Sequence, residues 1–267
     1  MKKILVAGIA AFAFAFCGAP AKAAEPMFNW TGLYLGMNLG AAAATERMNN
    51  SITAPSCAPN RPCVLIVAAL AAPQEIKATA FTGGMQVGYL YQVHNFVIGV
   101  ENDFGYLPLR GSFQFGPTNV PGTPANAVVL GNGSVATDWL ITIRARGGIA
   151  MDNKLIYLTG GIAFTNQSDV AFYAHGDPGI VAQYFFSISS LRMGRVIGAG
   201  FEQAIAAGWS IRAEYLHLDF DPALATALVT APGRIGPSLV GSTMTSSSHL
   251  VADIVRFGIN YKFGGPL

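Results

Sequence analysis

The chain closes on Val255-Arg256-Phe257-Gly258-Ile259-Asn260-Tyr261-Lys262-Phe263, followed by four further residues. Val255, Phe257, Ile259, Tyr261 and Phe263 fall on one face of this stretch, and Arg256, Gly258 and Lys262 on the other. Strict alternation is the strand signal. The first face is wholly apolar and aromatic towards its end, whereas the second is small, polar or charged. A soluble ligand-binding barrel has the reverse arrangement, apolar inside and polar outside. Charge inside and hydrocarbon outside requires lipid around the sheet.

The same pattern recurs upstream. Eight segments alternate in this way: 28–41, 78–92, 95–107, 135–150, 154–167, 186–206, 208–221 and 250–263. The apolar face carries Leu33, Leu35, Met37 and Leu39 in the first segment, Met85, Val87, Tyr89 and Tyr91 in the second, and Ile211, Ala213 and Tyr215 in the seventh. Its aromatics gather at segment ends: Trp30, Tyr91, Phe96, Trp209, Tyr261 and Phe263 beside short turns, Trp139 and Phe164 at the opposite ends. These are expected to form two interfacial girdles. Short links near Val93-His94, Asp152-Asn153 and Ala207-Gly208 alternate with long ones at 42–77, 108–134, 168–185 and 222–249. Short periplasmic turns and long external loops are how outer-membrane barrels are wired. The expected fold is therefore all-β, an eight-stranded antiparallel transmembrane β-barrel with long extracellular loops. Closure pairs every strand edge, as crossing a bilayer demands.

Composition supports this reading. Of 267 residues, 52% are apolar and 11% charged, against roughly 25% charged in a soluble domain. Disorder is excluded by the same balance. The start, Met1-Lys2-Lys3, an apolar run from Ile4 to Phe16 and then Ala21-Lys22-Ala23, has the form of a secretory signal peptide. Residues 1–23 are assigned to that signal and 24–267 to the barrel domain. Removing Lys2, Lys3 and Lys22 shifts the formal charge from +2 to −1. No basic patch remains for nucleic acid. The mature chain keeps Cys57 and Cys63, whose spacing and oxidising compartment suggest a small disulfide-closed loop.

The inward face supplies the candidate site. It carries Glu101, Asp103, Arg144, Arg146, Glu202, Arg212, Glu214, Arg256 and Lys262, five basic and four acidic residues. Rings of charge can set ion selectivity. Eight strands, however, leave a lumen just wide enough for side chains to fill, so near-balanced signs favour a packed salt-bridge plug over a channel. Catalytic signatures are thin. His217 and Asp219 share a face, but no nucleophile accompanies them. The glycine-rich stretches lack the Lys-Ser/Thr of a phosphate loop. No enzyme activity, metal or cofactor is expected. Val64 to Ala72 is an apolar run too short to span a bilayer as a helix; it is read as a loop-packing segment or an extension of the second strand, in preference to an exposed apolar patch for a lipid or protein partner.

Several stretches resemble the small outer-membrane β-barrel family of alphaproteobacteria, which includes surface antigens and haemin-binding proteins. They are Phe28-Asn29-Trp30-Thr31-Gly32-Leu33-Tyr34-Leu35-Gly36, Gly84-Met85-Gln86-Val87-Gly88-Tyr89, Ile98-Gly99-Val100-Glu101-Asn102-Asp103-Phe104, Arg144-Ala145-Arg146-Gly147-Gly148, Tyr157-Leu158-Thr159-Gly160-Gly161, Ala213-Glu214-Tyr215 and Arg256–Phe263. The resemblance implies a Gram-negative outer-membrane surface protein that contributes to envelope integrity and presents its loops outside. Its partners would be outer-membrane lipid, lipopolysaccharide and the barrel assembly machinery. Two alternatives are a narrow passive pore and loop-mediated binding of haemin or another apolar ligand. For haemin, His175 and His249 are the candidate donors, Tyr173 and Tyr184 weaker ones, with Phe172, Phe185 and Leu228 as an apolar wall.

Overall fold

Eight long antiparallel strands close into a ring, and three of them are broken in two, giving β1 (Gly32–Thr53), β2 (Gln74–Val93), β3 (Phe96–Tyr106), β4 (Arg110–Asn119), β5 (Val128–Ala136), β6 (Trp139–Met151), β7 (Lys154–Asp177), β8 (Ile180–Ala206), β9 (Trp209–Phe220), β10 (Ala223–Leu228) and β11 (Thr243–Phe263). One helix, α1 (Cys63–Leu70), lies between β1 and β2. The computed structural model describes residues 28–53, 63–121, 127–177, 180–228 and 242–263. The expected signal peptide and Cys57 lie outside the described residues.

Neighbours round the ring run β1-β2-β3-β6-β7-β8-β9-β11 and back to β1. Stepping across paired residues from Leu35 leads through Val87, Asn102, Ile143, Ile162, Arg195, Asp219 and Val251. The path re-enters β1 at Thr45, ten residues from its start at Leu35. That stagger tilts the strands and leaves no edge. At the periplasmic end the strands finish within a residue of the expected limits, except that β1 starts at Gly32 instead of 28. His94 and Asp152 hold left-handed backbone there, with φ of 57° and 54°. Phe96, Trp209, Tyr261 and Phe263 surround this end, and the Trp209 and Tyr261 rings lie 5.0 Å apart. Trp30 departs from expectation. It is 2% exposed and packs inside the mouth against Phe28, 4.8 Å between centroids, because the chain turns inward before β1 begins.

At the other end the stretches expected to be long loops extend beyond the ring, and their described residues are largely sheet. β1 runs to Thr53, beyond 41, and β7 to Asp177, beyond 167. β7 and β8 stay paired out to Asp177 and Ile180. Segment 108–134 contributes β4 and most of β5, which pair with each other, and β5 pairs with the extended β7. β10 pairs with the extended β11. The interruptions fall at Leu107-Pro108-Leu109, Thr137-Asp138 and Asp221-Pro222, two of them at a proline, which has no N–H to give a ladder. Thr137 stitches one break: its hydroxyl donates to Leu107 O at 2.6 Å and its N–H to Leu109 O at 3.0 Å. The result is an extracellular storey standing on the membrane ring. The run after Cys63 is a helix whose Ile66 and Leu70 are buried in that storey, so it packs the loop, though as neither coil nor strand.

Each strand keeps the same positions outward and inward along its length, but the apolar side switches between storeys. In the lower one Leu33, Leu35, Met37 and Leu39 of β1 face out. Above them Ala42, Ala44 and Met48 face in, while Arg47 faces out. β11 repeats this, with Phe257 and Ile259 outward below and Leu250, Ala252 and Ile254 inward above. The reversal marks where lipid gives way to water.

Candidate functional site

The interior is layered from mouth to cap, and each long strand passes through the layers in the same order. On β8, for example, Ala204 comes first, then Glu202, Val196, Arg192 and Phe186. The first layer is an aromatic and apolar floor of Trp30, Tyr34, Leu90, Val97, Leu155 and Tyr157. Above it lies the charge layer.

Here the structure brings eight of the nine expected residues into one mesh. Arg144 bonds Glu101, reaches Asp103 Oδ2 at 2.6 Å and donates from Nη1 to Glu214 Oε1 at 3.0 Å. Arg146 joins Glu101 at 3.1 Å to Glu202 at 2.8 Å. Arg212 donates to Glu101 Oε2 at 2.5 Å, and Arg256 links Glu214 at 2.7 Å to Asp103 at 2.9 Å. These ion-paired side chains are at most 5% exposed. Four guanidiniums meet four carboxylates. Buried charges are tolerable only when so matched, since one left alone costs several kcal/mol, about 3–5 when a partner is removed.

Lys262 stands apart from the mesh. Its Nζ donates to the carbonyl of Asn29 at 2.5 Å and lies 4.9 Å from the Phe28 ring centre. It fastens the inturned N-terminal stretch across the mouth.

Sequence reasoning missed the neutral members of the layer. Tyr34 OH donates to Glu101, and Tyr157 OH to Glu214 at 2.9 Å. The Arg146 guanidinium stacks 3.7 Å from the Tyr157 ring centre. Both tyrosines lie over glycines. A Cβ at Gly88 would stand 2.4 Å from Tyr34 OH, and one at Gly200 would stand 2.3 Å from Tyr157 Cζ. Ser210 and Asn260 donate to Glu202 at 2.5 and 2.7 Å. Their position opposite the apolar face was the available signal.

Above the mesh an apolar layer of Leu107, Leu109, Leu140, Val196, Leu216, Leu218, Phe220, Leu250 and Ile254 fills the cross-section. A second polar layer follows, formed by Glu46, Gln167, Asp169, Arg192 and Ser248. It falls wholly or partly in stretches expected to be loops, and sequence reasoning missed it. A second apolar layer caps the storey, including Met48, Ile66, Leu70, Ile76, Tyr173, Tyr184, Phe186 and Met244.

The expected haemin donors are not brought together. Both belong to strands, His175 to β7 and His249 to β11. His175 is 3% exposed and points inside, as do Tyr173 and Tyr184. His249 lies on the outer wall, its Nε2 2.7 Å from Asp219 Oδ1. The sheet therefore separates them, because alternate residues of a strand take opposite faces. Phe185 and Leu228 of the expected wall are exposed outside, away from His175. His217 and Asp219 do not pair with each other either. His217 Nδ1 meets Asp253 at 2.8 Å, while Asp219 also holds Arg195 at 3.0 Å.

The profile of the outer membrane protein beta-barrel domain matches residues 9–263. The 31 kDa outer-membrane immunogenic protein of Brucella melitensis is 28% identical over 275 residues, which cover 98% of this chain and all of that protein. Among solved structures, the outer membrane protein OprG of Pseudomonas aeruginosa aligns over 88% of this chain and 98% of its own, with 14% identity and a TM-score of 0.42. The outer membrane protease OmpT of Escherichia coli aligns over 90% of this chain and 99% of its own, with 8% identity and a TM-score of 0.43.

Proposed function

We propose, for a chain that belongs to the outer membrane protein beta-barrel domain family and resides in the bacterial outer membrane, the role of a sealed wall element that carries a folded extracellular storey. The observation that carries this reading is the stack of filled layers. A neutral salt-bridge mesh lies under an apolar layer of Leu216, Leu218 and Phe220, each 0% exposed. An ion following the axis would have to enter that layer without water or counter-charge, which costs far more than thermal energy. The same packing disfavours a catalytic reading, since no substrate reaches the mesh. Lipopolysaccharide surrounds the outer half, and the barrel assembly machinery inserts the chain. Surface presentation fits the immunogenic character in the name of the Brucella relative. The contribution to the cell is mechanical and antigenic, not transport.

The test is a conductance recording of the folded protein in planar bilayers, with haemin titrated on the same sample. The expected result is no ohmic step above the bare membrane and no Soret shift. Regular single-channel steps would replace the wall by a pore.

A further inference from the structure

The carboxylates of the second polar layer are reached by fewer protons than they have oxygens to satisfy. Gln167 Nε2 lies 2.9 Å from Glu46 Oε1, 2.8 Å from each carboxylate oxygen of Asp169, and 3.2 Å from Ser248 Oγ. An amide nitrogen has two hydrogens to give, and four oxygens converge on it. The Ser248 hydroxyl has one, directed to Glu46 Oε1. Arg192 turns its Nη2 to the backbone carbonyls of Asp221 at 2.7 Å and Ser248 at 3.0 Å, so it does not bridge the acids. Glu46 Oε2, Gln167 Oε1 and Arg192 Nη1 are buried without a hydrogen-bond partner, so the spare donors of the guanidinium do not reach the acids. Water is kept off by Leu218, Phe220 and Leu250 below and by Met48 and Ile76 above.

The surrounding charges do not close the deficit. β1 contributes Glu46, β7 Asp169 and β8 Arg192, while β11 offers the neutral Ser248. The Asp221 carboxyl, at the β9–β10 break, acts on Arg192. β2 presents only Ile76 and Ala78, and β9 only Leu218 and Phe220. Two buried carboxylates facing one guanidinium leave an excess of one negative charge in a dry layer.

We propose that Glu46 and Asp169 form a proton-binding pair that holds one proton between them and latches the extracellular storey shut. Glu46 lies seven residues beyond Leu39 on β1, and Asp169 five beyond Phe164 on β7, both above the lipid-facing band. Burial, reinforced by the neighbouring Asp169 charge, pushes the Glu46 carboxyl up to about 7. Burial raises Asp169 as well. A carboxyl whose affinity for its proton is higher folded than unfolded adds stability at acidic pH. That stability is lost as pH rises from the ordinary carboxyl range through about 7. The storey is thus tightest in acid and loosens under neutral to alkaline conditions.

The test is infrared spectroscopy of the folded full chain in detergent, titrated from about pH 4 to about pH 9. A protonated-carboxyl stretch should outlast the ordinary acids and vanish with a midpoint near 7. Glu46→Gln and Asp169→Asn should each remove it. Ser248→Ala should move the midpoint upward, because that hydroxyl stabilises the charged form of Glu46. Amide exchange, corrected for intrinsic rates, should quicken in the upper parts of β1, β7 and β11 by about ten- to a hundredfold between acid and alkaline pH. β3 and β6 should not change, and Glu46→Gln should abolish the difference. Loss of the stretch together with the ordinary acids, or a Glu46→Gln variant that keeps the wild-type exchange profile, overturns the proposal. If Glu46→Gln does not fold, the wild-type titration and Ser248→Ala decide alone.

Discussion

At the residue scale the governing fact is that a charge inside this barrel has its partners chosen by strand parity. Arg144 bonds Glu101, Asp103 and Glu214, none adjacent to it in sequence. Arg144→Ala strands those acids in the mesh and should cost about 3–5 kcal/mol. Arg47→Ala breaks an ion pair to Glu75 on the outer wall, where the two side chains are 66% and 45% exposed. Such a pair is worth about 0–1 kcal/mol. Urea midpoints of the two variants, measured in the same micelles, should rank accordingly, and equal midpoints would mean the mesh is hydrated. Parity made eight of the mesh residues legible before any coordinates. It also put Lys262 on the right face, yet parity says nothing about height, and Lys262 sits at the mouth. Trp30 was misplaced for a related reason. An aromatic beside a turn resembles a girdle residue, but it precedes the first ladder pair and is free to fold in.

At the element scale the periplasmic strand ends were readable because two short polar turns, at His94-Asn95 and Asp152-Asn153, cut the alternation there. The extracellular ends were not. Once a strand leaves lipid its outer face meets water, so on β1 the outward positions pass from Leu39 to Arg47 and the apolar residues move to inward positions such as Met48. A search for one continuous apolar face stops at that reversal and takes the remainder for loop. The second polar layer was lost to view with it. The breaks in the upper storey depend on single groups, and Thr137 is 0% exposed with its hydroxyl donated to Leu107 O. Thr137→Val removes the hydroxyl's bonds to that carbonyl and to the Leu109 N–H, which keep only their own 2.9 Å bond to each other, at about 0.5–1.5 kcal/mol. The loss should be local. Limited proteolysis should cut the β4–β5 hairpin faster, while the membrane ring keeps its resistance to detergent. Uniform loosening of the whole barrel would show that the storeys are not separable.

At the scale of the whole molecule the closed ladder makes the membrane ring one cooperative unit. Unheated protein should migrate apart from boiled protein on a detergent gel, and identical migration would be incompatible with a closed ring. The mesh bears further on how such a ring is completed. In chain order, β3 brings two acids, β6 two arginines, β8 one acid, β9 one of each sign, and β11 Arg256. The running charge of the mesh therefore falls to minus two, returns to zero at β6, drops to minus one at β8 and stays there through β9. Only the arrival of the last strand restores neutrality. An unfinished barrel lacking β11 is electrically distinguishable from a finished one, and it carries its mismatch on the side that must become dry. Completion is thus written into the charge sequence itself, as a checksum that the final strand alone makes correct.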